Sequence, residues 1–125
     1  MSQYVAQRVY ISGPMSGIEH HNYPTFHEVT KKWRDRGWFV QNPAELGGQN
    51  MDQPWENFIR TDLIILMQCC DAIALLPGWE HSCGGRIELA IAKAMRLNIY
   101  DALTMKQINP SICFVVSGQP YPIRP

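Results

Sequence analysis

Two acids stand where acids are costly. Glu88 lies in the segment Pro77-Gly78-Trp79-Glu80-His81-Ser82-Cys83-Gly84-Gly85-Arg86-Ile87-Glu88-Leu89-Ala90. Helical spacing puts it on one stripe with Ile91, Ala92 and Met95, while Arg86 and Lys93 point away. Asp62 sits in a second apolar stripe, with Phe58, Ile59, Leu63 and Leu66. A carboxylate on an apolar face must be paired or used. A lone acid of this kind reads as structural, satisfied by a loop backbone. Two of them, on the inner faces of helices flanking one strand, read as an acid–base pair. Burial raises at least one pKa and so separates their roles.

Other residues border this pair. Val9-Tyr10-Ile11-Ser12-Gly13-Pro14-Met15-Ser16-Gly17 ends a strand with small residues, which let a ligand approach the backbone or simply make a tight turn. Tyr10 is either a core aromatic or a hydroxyl within reach of Glu88, if their elements are adjacent. Ser82, Cys83, Gly84 and Gly85 precede a helix. Free amides there, with a serine hydroxyl, suit a phosphate as well as they suit a plain helix cap. The full dinucleotide fingerprint and the P-loop are absent. His20, His21, His27 and His81 read as surface histidines. Cys69, Cys70, Cys83 and Cys113 lack CxxC spacing and read as reduced, buried thiols rather than zinc ligands.

The elements that must position these residues follow from periodicity and punctuation. Arg8 to Ser12 reads as a first strand. Asn22 is expected to cap a helix with Pro24 in its first turn, and Gly37 to stop it. Trp38 to Gln41 reads as a second strand and Ala44 to Asp52 as a loop. A helix follows from Pro54 to Gln68, then a buried strand, Asp71 to Leu76, and a helix, Gly84 to Leu97. Asn98 to Tyr100 and Ile112 to Val116 read as the fourth and fifth strands. Strands alternating with helices imply parallel pairing with right-handed crossovers. The expected fold is a three-layer α/β sandwich, flavodoxin- or Rossmann-like, with about five mostly parallel strands. The domain is placed at residues 1–117, with a proline-rich tail at 118–125.

The chain has 125 residues, which suits one domain, and 46% are hydrophobic, which suits a core. Eleven basic and eleven acidic residues cancel, so general nucleic-acid binding is not expected. The apolar runs are too short to span a membrane. No signal-like segment opens the chain, and a cytoplasmic location is expected.

Together the residues resemble the nucleoside 2-deoxyribosyltransferase superfamily, which includes the deoxynucleoside 5'-monophosphate N-glycosidases and small phage and bacterial proteins. The resemblance spans roughly residues 8 to 103. It rests on Val9 to Gly17, Asn42-Pro43-Ala44-Glu45, Asp62-Leu63, Asp71 to Leu76 and Ser82 to Ala90. It implies that Glu88 attacks the anomeric carbon of deoxyribose, that Asp62 helps protonate the departing base and that Tyr10 orients Glu88. A carboxylate suits an oxocarbenium-like transition state. The resemblance further implies substrate contacts at Ser12, Gly13, Met15, Ser16, Gly17, Trp79, Ser82 and Gly84. It implies no cofactor and no metal, and a homodimer or larger assembly whose sites borrow a residue from a neighbouring subunit.

Ser82 stands six positions before Glu88. The transferases of that superfamily tend to carry an aspartate there, and the monophosphate hydrolases a serine. This tilts the expectation towards a nucleoside 5'-monophosphate with water as acceptor. Ser16 departs from the hydrolases, which carry a phosphate-contacting arginine at that position; Arg86 lies in the wrong helical phase to replace it. The alternatives are base exchange by a deoxyribosyltransferase and a nucleotide-binding sensor without catalysis. A phosphoribohydrolase of the cytokinin-activating type fits less well, because Trp79 follows Gly78 where its motif has a second glycine.

Overall fold

The computed structural model describes residues 7–46 and 54–110. Five strands form one sheet in the order β2-β1-β3-β4-β5. They are β1 (Arg8–Ser12), β2 (Phe39–Gln41), β3 (Ala72–Leu75), β4 (Asn98–Asp101) and β5 (Gln107–Ile108). The first four are parallel and β5 returns antiparallel against β4. The helices are α1 (Tyr23–Asp35), α2 (Pro43–Leu46), α3 (Trp55–Cys69) and α4 (Cys83–Ala94). The architecture is the expected Rossmann-like α/β sandwich.

Strand alternation divides the core in two. Val9 and Ile11 pack with Phe26, Val29 and Trp33 of α1. Tyr10 packs on the other face with Ile73, Leu66 of α3 and Leu89 of α4. Residues two apart on β1 share a face, so Ser12 follows Tyr10 towards α3 and α4. The chain leaves β1 for β2 on one side and enters β3 on the other. The crevice where the order reverses lies between β1 and β3, at their carboxyl ends, where open α/β sheets bind ligands.

Several boundaries differ from expectation. The segment from Ala44 begins as helix α2 rather than loop, because Pro43 opens it and the Asn42 side-chain oxygen accepts from the Ala44 amide at 2.8 Å. Asn22 does not cap α1 with its side chain. It closes a run of left-handed residues, with φ of 53°, 56° and 62° at His20, His21 and Asn22, and donates to the Pro14 carbonyl at 2.9 Å. The fifth strand among the described residues is β5; Ile112 to Val116, the tail 118–125 and Cys113 lie outside them. Gly37 does stop α1. Its φ is 91°, and the bonds Trp38 to Trp33 and Gly37 to Arg34 close the helix end. Among the described residues no helix is long and apolar enough to cross a membrane.

Gly13 shows how tightly the crevice is built. A Cβ there would lie 2.6 Å from Leu76 Cβ, an atom fixed by its own backbone. Gly13→Ala is expected to destabilise the fold by roughly 1–3 kcal/mol through overpacking. Thermal melting tests this, and an unchanged midpoint would contradict the close approach.

Candidate active site

Glu88 is 5% exposed and lies on the inner face of α4. Ser82 caps that helix, accepting from the Gly85 amide at 3.0 Å. Gly85 is tightly fitted, since a Cβ would stand 3.2 Å from the Trp79 carbonyl oxygen and the neighbouring backbone would have to give slightly. The cap therefore fixes where α4 starts, and the helix carries Glu88 over β1. Both of its oxygens are held there. Tyr10 donates its phenolic hydrogen to Oε2 at 2.6 Å, and Ser12 donates to Oε1 at 2.6 Å. Tyr10 and Ser12 are themselves fully buried.

Asp62 faces the same group from α3. Burial pushes its carboxyl up to about 6, opposed by a hydrogen bond from Tyr10. Burial, and then the nearby Asp62, push Glu88 up to about 8; the bonds from Ser12 and Tyr10 hold it from rising further. Tyr10 is raised well above its ordinary value by burial, then by the charges of Glu88 and Asp62.

These groups form the floor of a cavity of about 440 Å³, within the usual range for small-molecule sites. Gly13, Met15, Ser16, Ser82 and Gly84 line it, as does Tyr10. Three of the sequence-derived contact residues are placed differently. Ser12 lies beneath the floor and touches Glu88. Gly17 is not among the lining residues and serves a turn, with φ of 77°. Trp79 turns inward and packs on the core beside Leu89. Arg86, though buried, is also not a lining residue. Met95 leaves the Glu88 stripe because α4 ends at Ala94, and it is 41% exposed.

Other lining residues were not apparent from the sequence. Tyr23, Trp55 and Phe58 give the cavity an aromatic wall, and His21 and His81 stand at it although both are exposed. The free thiols of Cys69 and Cys70 lie elsewhere, and burial pushes Cys70 up to about 12, which suits an inert role.

Ser12→Ala would leave Oε1 of a buried carboxyl without its donor. It is expected to cost roughly 1–3 kcal/mol of stability and to move the Glu88 titration upward. Carbon-13 NMR of labelled glutamate reads that titration directly; an unmoved Glu88 signal would show that the serine does not tune it.

Comparison with proteins of curated function yields no match. A family model described as a domain of unknown function (DUF4406) matches residues 7–101, from the start of β1 to the end of β4 and so across the whole Glu88–Tyr10–Asp62 constellation. The chain therefore belongs to the DUF4406 family.

Proposed function

We propose that the protein cleaves the N-glycosidic bond of a 2'-deoxynucleoside 5'-monophosphate, releasing the base. The observation that carries this reading is the Glu88 carboxyl, held at both oxygens by Tyr10 and Ser12 on the floor of a ligand-sized cavity. A carboxylate pinned in this way offers a remaining lone pair to an electron-poor carbon with little freedom left to lose. Glu88 attacks the anomeric carbon while the C–N bond breaks, forming a glycosyl ester. Asp62 gives its proton to the departing base, and later takes one from the water that hydrolyses the ester. The deoxyribose and the base-releasing role come from the resemblance to nucleoside 2-deoxyribosyltransferases, which the residue pattern supports. The aromatic wall of Tyr23, Trp55 and Phe58 suits a planar base.

Ser82 and Gly84, at the start of α4, are the groups proposed to meet a 5'-phosphate. A second reading has a specific observation behind it. The cation-capable groups of the described lining are His21 and His81 rather than a guanidinium, and a neutral nucleoside asks for no charge there. That reading makes the protein a deoxyribosyltransferase that passes the sugar to a second base. The homo-oligomer implied by the resemblance belongs to this proposal too. Ile64 and Met67 of α3, 51% and 42% exposed, are the apolar surface it would cover, and light scattering of the purified protein tests it.

A product scan tests the reaction. Each deoxynucleoside and its monophosphate is incubated with the protein, with and without an acceptor base. Base released from monophosphates by water alone is the expected result. Exchange that needs an acceptor moves the assignment to the transferase. No release from any substrate would overturn the catalytic reading and leave a nucleotide-binding module.

A further inference from the structure

Three successive residues beside the cavity stand in a conformation that L-residues avoid. His20, His21 and Asn22 have φ of 53°, 56° and 62°. Asparagine and histidine visit the left-handed region as single residues, so a run of three is not a local preference. Such strain persists only where the surroundings hold it, and it gathers at functional sites. Here it lies between β1 and α1, on the loop that brings Pro14, Met15, Ser16 and His21 to the cavity.

The loop also forgoes a helix cap. Asn22 immediately precedes α1, where an asparagine ordinarily takes an extended backbone and offers its side-chain oxygen to the early amides of the helix. Asn22 does neither. It donates to the Pro14 carbonyl at 2.9 Å, which closes the loop Pro14–Asn22 at its neck. Within the loop the Ile18 amide donates to Met15 at 3.3 Å and the His21 amide to Ile18 at 2.9 Å. Pro14 anchors one end, so close to Gly78 that a Cβ there would lie 3.1 Å from Pro14 Cγ. The middle is open. Ser16 to His21 are exposed, and a Cβ at Gly17 would meet nothing within 4 Å. A second shape is therefore built into the sequence. With an extended backbone Asn22 would release Pro14 and cap α1 through the Thr25 amide, since Pro24 has none. All three residues would then be free to leave the left-handed region.

We propose that Asn22 is a positioning residue, a latch that holds this loop in its strained shape and so completes the cavity wall with Met15, Ser16 and His21. In the capped shape that wall is open. Ligand binds the latched shape and draws the loop towards it. Asn22 thus acts on affinity and leaves the chemistry at Glu88 untouched. Its effect on turnover rests on the proposed glycosidic cleavage, whereas the latch itself does not.

Two variants push the loop in opposite directions. Asn22→Thr removes the amide that bonds Pro14, caps helices well and, being β-branched, resists a positive φ. His20→Gly relieves strain at a residue outside the cavity lining. Amide exchange followed by NMR reads the protection of Ile18 and His21. It should fall roughly tenfold or more in Asn22→Thr and rise roughly two- to tenfold in His20→Gly. On a substrate found in the product scan, Asn22→Thr should raise KM about threefold or more while kcat stays within about twofold of the wild type. Protection that shifts the same way in both variants, or in neither, would overturn the latch. A fall in kcat at unchanged KM would overturn the positioning role. A wild type that turns over no substrate would overturn the proposed reaction instead, and the exchange data would still decide the latch. Should Asn22→Thr fold poorly, His20→Gly decides it alone, because unchanged or lowered protection there contradicts a strained loop.

Discussion

Glu88→Ala and Glu88→Gln are each expected to lower base release by roughly 10⁴-fold or more, the scale on which a covalent nucleophile is missed. The loss should fall in kcat, with substrate binding largely kept, because the cavity walls are formed by other residues. Glutamine is the sharper variant. It preserves the volume; its amide oxygen can accept from one of the two hydroxyls and its amide nitrogen can donate to the oxygen of the other, so each contact at 2.6 Å has a near substitute. Retention of more than about one tenth of the wild-type rate would mean that the carboxylate forms no bond to the sugar, whatever else it contacts.

The same substitution should strengthen the fold. An acid whose folded pKa lies above its unfolded value contributes stability fully only below the unfolded value, and that contribution is lost as pH rises through the folded one. For Glu88 the window runs from 4.5 to about 8, and for Asp62 from 3.8 to about 6. Wild-type stability from these two groups therefore falls as pH rises from about 4 to 8. At 1.4 kcal/mol per pKa unit, the Glu88 share is on the order of a few kcal/mol. Glu88→Gln removes that share. Its melting temperature should exceed the wild-type value by roughly 10 °C or more at pH 8.5, and the gap should narrow towards pH 4.5. A gap that stays constant with pH would contradict the burial cost assigned to Glu88. An active site that holds an acid out of water trades stability for chemistry in this way.

Much of this arrangement was legible in the sequence, for a physical reason. Acids on the apolar stripes of helices break the pattern that surrounds them, so Glu88 and Asp62 stand out without any structure. The glycines and prolines that end β1 and start α4 mark where the chain turns, and the alternation of strands and helices implies parallel pairing, though the order β2-β1-β3-β4-β5 comes from the structure. Ser12 was legible in principle. It lies two residues from Tyr10 on one strand and must share its face, yet its small polar side chain reads equally well as a substrate contact. Trp79 shows the opposite failure. A tryptophan in a loop beside a candidate site suggests a stacking surface, but here the loop turns it onto the core. Tyr23 and Trp55 reach the cavity only through the path of the chain in three dimensions, which local periodicity does not carry. Asn22 suggests a cap by type, but its left-handed backbone, set by the His20–Asn22 run, sends the side chain to Pro14.

The placement of the site also follows from elementary constraints. Parallel strands need crossovers, crossovers of one hand put α1 on one face and α3 with α4 on the other, and the crevice opens where the order reverses. Tyr10 and Ser12 point into the α3 and α4 side because strand residues alternate. Everything the proposed chemistry uses then comes from three elements meeting at one strand end.

The most direct test of Glu88 as nucleophile is stereochemical. The protein is allowed to cleave a β-configured substrate in water containing methanol, and the methyl deoxyriboside formed is examined by proton NMR before it can equilibrate. Attack by Glu88 followed by attack of methanol on the ester inverts the anomeric carbon twice, so the product should keep the β configuration. An α-configured methyl deoxyriboside would mean that solvent displaces the base in one step, and it would contradict the glycosyl-Glu88 intermediate.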